Sequence, residues 1–108
     1  MRLRVSENII RRLKKLSETF DKPIPIVKYR IPSRLRVGDI IVLRGNSTSL
    51  RAKVCDIQEH YVYDKQYFLS NIANISQDLY ILYEDKLKEI LNNQGTTKIY
   101  LVYVKIMS

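Results

Sequence analysis

The chain has 108 residues, one cysteine, one histidine and a formal net charge of +8, with 45% hydrophobic and 28% charged residues. That size and balance suit one globular domain, 1–108, with enough apolar residues for its own core, and they exclude a disordered chain. A single cysteine forms no internal disulfide, no Cys/His cluster provides a zinc site, and no apolar run approaches the ~20 residues of a membrane span. The expectation is a cytoplasmic protein with no metal, no cofactor and no membrane partner.

The charge is uneven. Residues 1–54 hold 14 Lys and Arg against 4 Asp and Glu, whereas residues 55–108 hold 5 against 7. All nine arginines lie in the first half. The guanidinium fork matches phosphate oxygens and stacks on bases, so this asymmetry points to a polyanion-binding face.

In chain order, Arg2 to Val5 reads as a short edge strand. Ser6 is a good N-cap, Glu7 complements the helix dipole, and Val5 with Ile10 forms a hydrophobic staple. Ile9, Ile10, Leu13, Leu16 and Phe20 recur at helical spacing, which predicts an amphipathic helix over about 7–19. A basic strand followed by such a helix resembles ribbon-helix-helix DNA-binding proteins. The second helix of that fold is excluded by Pro23, Pro25 and Pro32, because proline inside a helix costs about 3 kcal/mol.

From Lys22 to Ile31 the chain reads as extended, with its prolines confining it to a sheet edge or bulge. Period-two alternation groups Lys22, Ile24, Ile26, Lys28 and Arg30 on one side and Val27, Tyr29 and Ile31 on the other, the second set facing the core. Gly38-Asp39 is a turn, because glycine accepts a positive φ and the aspartate bonds nearby amides. Ile40 to Leu43 is a buried strand, Gly45-Asn46 reverses the chain, and Leu50 to Ile57 returns with Leu50, Ala52 and Val54 opposite Arg51, Lys53 and Cys55. The exposed cations of this region, Lys28, Arg30, Arg34, Arg36, Arg44, Arg51 and Lys53, form the expected nucleic-acid-binding surface.

Beyond the hairpin, His60, Tyr61, Tyr63, Tyr67 and Phe68 make an aromatic stretch from which Tyr61 is a candidate for base stacking. Ser76 caps a second predicted helix reaching Leu91, which Gly95 follows as a left-handed stop. Ile99 to Ile106 is a strand rich in β-branched and aromatic residues, suited to the middle of a sheet, with Tyr100, Val102, Val104 and Ile106 on one face.

The segment RLRVGDIIVLRGNSTSLRAKVCDI at 34–57, with EDKLKEILNNQGTTKIYLVYVKIM at 84–107, resembles the ASCH branch of the PUA-like β-barrel superfamily. The resemblance implies an α+β fold: a small, mostly antiparallel barrel of five or six strands with two main helices packed against it. It also implies RNA binding or action on a modified nucleoside. Some members deacetylate N4-acetylcytidine through a Lys and a Thr within K-T-x-T-x-R and a later acid. Lys22 matches that lysine by its distance from Gly38-Asp39, but no Ser or Thr occurs from Lys22 to Pro32, and Asp78 is the nearest acidic residue to the expected place. A nucleophile without its partners is poorly activated, so the expectation leans to a binding module, with RNA preferred over DNA. The alternatives are a small nucleoside-modifying enzyme centred on Lys22 and a DNA-binding regulator.

Overall fold

The computed structural model describes residues 1–62 and 97–107. Tyr63, Tyr67 and Phe68 and the helix expected over 76–91 lie outside the described residues. Five strands and one helix follow in the order β1 (Arg2–Arg4), α1 (Glu7–Ser17), β2 (Ile24–Lys28), β3 (Ile40–Arg44), β4 (Ser49–Val62) and β5 (Thr97–Met107). The strands form one sheet in the order β1-β3-β4-β5-β2. β1 runs parallel to β3, and the other three pairings are antiparallel.

Directly paired residues share a face, and neighbours along a strand alternate. One face of the sheet therefore carries Leu3, Ile41, Leu43, Ala52, Val54, Val104 and Ile24, all buried. α1 packs on this face, burying Ile10 and Leu13 completely, with Ile9, Leu16 and Phe20 partly covered. The helix starts where Ser6 caps it, the serine hydroxyl oxygen accepting the Ile9 N–H at 3.3 Å. Glu7 then ties the helix to the β3–β4 loop. Its carboxylate accepts the Ser47 hydroxyl at 2.8 Å and, more weakly, the Ser47 N–H at 3.4 Å. Hydrogen bonds from the Thr48 and Ser47 hydroxyls hold the Glu7 carboxyl below the ordinary glutamate value.

The turn before β3 forms as its residues dictate. Gly38 has φ +95°, and Asp39 accepts the Arg36 N–H at 2.9 Å through its carboxylate. Gly38 N–H to Val54 C=O (2.8 Å) and Val54 N–H to Asp39 C=O (2.9 Å) tie this turn to β4. β4 then continues well past Ile57, so His60 and Tyr61 belong to the strand and not to a separate segment.

Three expectations are corrected. Among the described residues the closed, mostly antiparallel barrel does not form: their sheet is open and mixed, with β1 and β2 as its edges. A barrel needs every strand paired on both sides, and the two strands that would close this one are poorly equipped to pair. β1 has three residues, and β2 contains Pro25, which lacks an N–H. The sheet nevertheless coils. Arg4 lies in the row of the hairpin tip and Lys28 in the row of Tyr100 and Glu59, yet Lys28 Nζ donates to the Arg4 carbonyl at 2.7 Å. That is one side-chain bond across the opening, without a ladder. Secondly, in place of two main helices packed on a barrel, the described residues hold one helix, α1, on an open sheet, and the second expected helix lies outside them. Thirdly, β2 does not divide into a core side and a solvent side. Ile24, Ile26 and Val27 are all buried, Ile26 beside Val102 and Val27 beside Leu101 on the opposite face.

Two stability measurements follow. Gly38→Ala should cost about 1 kcal/mol in chemical denaturation, because its φ disfavours a side chain although the space around it is open. Glu7→Gln should destabilise the protein at neutral pH. A carboxyl with a depressed folded-state pKa contributes stability above its unfolded pKa and loses it as the pH falls through the folded value. The gap between Glu7→Gln and the wild type should therefore close in acid below the ordinary glutamate range; a gap constant with pH would exclude the charge as its source.

Candidate nucleic-acid interface

The face opposite α1 is built from the same ladders with the other set of residues. Arg4, Arg44 and Ser49 form one row, Arg2, Val42, Arg51 and Met107 a second, and Ile40, Lys53 and Lys105 a third. Six cations, Arg2, Arg4, Arg44, Arg51, Lys53 and Lys105, thus occupy one end of one face, and all six are exposed. Among the described residues none of their side chains makes an ion pair. Val42 and Met107 lie half-buried between them, and Ile40 is 50% exposed. Adjacent strands are about 4.8 Å apart and same-face residues on one strand about 7 Å apart, so the charges form a tight array. Arg4 faces Arg44 directly, and Lys53 faces Lys105. Like charges in such positions repel, and the fold carries that cost on its surface.

A β-bulge ends the array. Cys55 and Asp56 together oppose Tyr103, and the register shifts by one residue there. Asp56 remains on the cationic face, but its carboxylate is engaged locally, accepting the Ile57 N–H at 2.9 Å and the Gln58 amide at 3.1 Å. Burial, and secondarily the Asp56 charge, push the Tyr103 hydroxyl above its ordinary pKa. Beyond the bulge the odd-numbered residues of β4 turn to the face that carries α1.

That shift removes Tyr61 from the site. It stands ten residues beyond Arg51, about 30 Å along the strand, and on the opposite face. Its ring, 54% exposed, has the Lys98 ammonium 5.9 Å from its centre, and the same ammonium lies 5.3 Å from the Tyr100 ring. Lys98 also pairs with Glu59 at 3.3 Å. The Tyr100 hydroxyl and then Glu59 raise the Lys98 pKa above the ordinary lysine value. Tyr61 belongs to this separate cross-strand cluster.

Of the other expected residues, Arg44, Arg51 and Lys53 stand together as described. Lys28 is at the far sheet edge, its ammonium on the Arg4 carbonyl. Arg30 is exposed after β2, and Arg34 and Arg36 flank the buried Leu35 in the turn. Arg36 donates to the Ser33 and Leu35 carbonyls at 3.1 and 3.3 Å, so it braces its own turn. Lys22 is exposed beside a shallow cleft of about 200 Å³ lined by Phe20, Asp21 and Ile24 among others, with no hydrogen bond among the described residues. Among the described residues no partner is placed to activate it as a nucleophile.

Arg2, Arg4 and Lys105 complete the array and were not among the expected site residues. Arg-Leu-Arg at 2–4 does alternate, as does Lys105 against Val104 and Ile106. The missing information was the parallel pairing of β1 with β3. Around the hairpin tip two adjoining open clefts, about 340 and 420 Å³, share Arg2, Arg44, Gly45 and Asn46. Among the described residues no group of three His, Cys, Asp or Glu side chains is placed to hold a metal ion, and no helix is long and apolar enough to cross a membrane.

No family model, no curated protein and no solved structure matches this chain. The likeness to ASCH proteins therefore rests on the quoted residues alone.

Cys55 offers a chemical probe of the field, being partly exposed, the sole cysteine, and on the strand beside Lys53. An anionic disulfide reagent should label it faster than a neutral reagent of equal intrinsic reactivity at low salt. The advantage should shrink at high salt and in Arg51→Ala/Lys53→Ala. Equal salt dependence for both reagents would mean the cations create no net positive field at the thiol.

Proposed function

We propose that this protein is an RNA-binding module that holds a short single-stranded segment on the sheet face opposite α1. The observation that carries the reading is the array of six exposed cations with no carboxylate partner among the described residues. Arginine forks and lysine ammonium groups neutralise phosphates, releasing counterions and making affinity fall with salt. The array spans four strands and three rows, about 15 Å each way, which suits a few nucleotides better than the long track of a regular duplex. Ile40, Val42 and Met107 provide apolar ground between the charges, against which unpaired bases can lie. Ser49 and the loop residues Asn46 and Ser47 border the patch with groups able to meet a ribose 2′-hydroxyl. No aromatic ring of the Tyr61 cluster takes part.

Fluorescence anisotropy with labelled single-stranded RNA, duplex RNA and duplex DNA across a salt series tests this. Arg51→Ala/Lys53→Ala/Lys105→Ala should lower the slope of log affinity against log salt by about 2, at roughly 0.7 for each single-strand phosphate that is no longer neutralised. Arg11→Ala/Lys14→Ala, on the exposed side of α1, should leave it unchanged. Equal effects from both variants would reduce the affinity to net charge, and a clear preference for duplex DNA would favour a DNA-binding regulator instead.

A further inference from the structure

The corner where β1 meets the hairpin tip concentrates more charge than a passing phosphodiester needs. Arg2, Arg4 and Arg44 line a single open cleft of about 420 Å³ with Gly45 and Asn46. The adjoining cleft of about 340 Å³ repeats Arg2 and Arg44 and is walled by Asn46, Ser47, Thr48 and Ser49. Arg4 and Arg44 are direct partners in the parallel ladder, with Arg2 two residues along, so three guanidinium groups share one corner of the face. Among the described residues no carboxylate lines either cleft. Glu7, which contacts the same loop, accepts its hydrogen bonds from Ser47 and Thr48. An added Cβ on Gly45 would run into the Glu7 carboxylate and the Ile10 side chain, so this carboxylate lies on the helix side of the loop and Arg44 on the other.

A phosphodiester brings one negative charge and two free oxygens. A phosphate monoester brings about −1.5 to −2 and three strong acceptor oxygens, enough to engage three guanidinium forks together. The loop also walls the cleft on one side, where a strand that ran straight through would need open passage. The geometry points to this cleft as a subsite for a phosphate monoester, the terminal phosphate of a nucleic-acid strand whose diester backbone lies over Arg51, Lys53 and Lys105. The identity of the strand rests on the function proposed above; the preference of the cleft for a monoester does not.

Two experiments on the full chain separate these. Inorganic phosphate, titrated at constant ionic strength against chloride and followed by NMR, should give saturable shifts at Arg2, Arg4, Arg44, Gly45 and Asn46. The shifts should vanish in Arg4→Gln/Arg44→Gln and persist in Lys53→Ala/Lys105→Ala. Removing like charges that face each other should leave the thermal midpoint of Arg4→Gln/Arg44→Gln equal or raised, so vanished shifts would not reflect unfolding. RNA oligonucleotides of one sequence, carrying a 5′-phosphate, a 3′-phosphate or neither, form the second test. One phosphorylated end should bind about tenfold more tightly than the unphosphorylated strand, and Arg4→Gln/Arg44→Gln should abolish the difference. Equal binding of all three, with no phosphate shifts at the arginines, overturns the subsite and leaves the face reading standing. Saturable phosphate shifts without binding of any oligonucleotide support the monoester site and overturn the nucleic-acid reading.

Discussion

The irregular pairing of β4 with β5 is the constraint from which the rest of this structure follows. β4 is the one strand that pairs along its first part with β3 and along nearly its whole length with β5. The extra residue at Cys55 divides it into two stretches of opposite sense. Before the bulge, Arg51 and Lys53 point away from α1 while Ala52 and Val54 pack toward it. After the bulge the odd positions share the face that carries α1 and the even positions lie on the other. One inserted residue therefore sets Glu59 and Tyr61 on the face of Lys98 and Tyr100, opposite the cationic array, while the length of β4 separates the two along the sheet. A bulge also strengthens local twist, and the sheet coils enough for Lys28 to reach across to Arg4.

Local chemistry made much of the fold legible. Ser6 caps α1, Gly38 takes a positive φ, Asp39 bonds the Arg36 amide, and Pro25 lies in an edge strand, each for a reason contained in the residue itself. The β3–β4 hairpin was equally clear, since Leu50, Ala52 and Val54 alternate with Arg51 and Lys53. What stayed hidden were relations between distant segments. Nothing in Arg2-Leu3-Arg4 reveals that it pairs with β3, so Arg2 and Arg4 could not be placed beside Arg44. Nothing in Val54-Cys55-Asp56 marks the extra residue, so the face on which Tyr61 stands could not be read from the sequence. β2 misled for a different reason. With apolar residues buried on both its sides, no polar alternation remained to show which side was core.

The arrangement of charge works against stability and is what the proposed binding of a polyanion would require. Cross-strand neighbours in a sheet support one another when their charges are opposite, and the far end of this sheet follows that rule at Lys98 and Glu59. The end around the hairpin does the reverse, placing Arg4 opposite Arg44 and Lys53 opposite Lys105. An interspersed arrangement of signs would keep the chain soluble without this repulsion. Each such pair gives up a little folding free energy, which the proposed binding of a polyanion would return.

The helix explains why the array lies on one face only. α1 seals the face that carries Leu43, Val54 and Val104, and the Glu7 clamp holds the hairpin loop against the helix start. The loop is thereby fixed from the inner side, with its Gly45 too close to Glu7 and Ile10 to accept a side chain. Its outer side, with Arg44 and Asn46, is then presented to solvent in a set position relative to Arg2 and Arg4. Ordering the loop during folding means that less entropy would be lost on binding an anion at the proposed subsite, which is the main gain from a preorganised site. Glu7 thus anchors the loop within the fold from one side, while Arg2, Arg4 and Arg44 stand exposed on the other, where the proposed anion would bind.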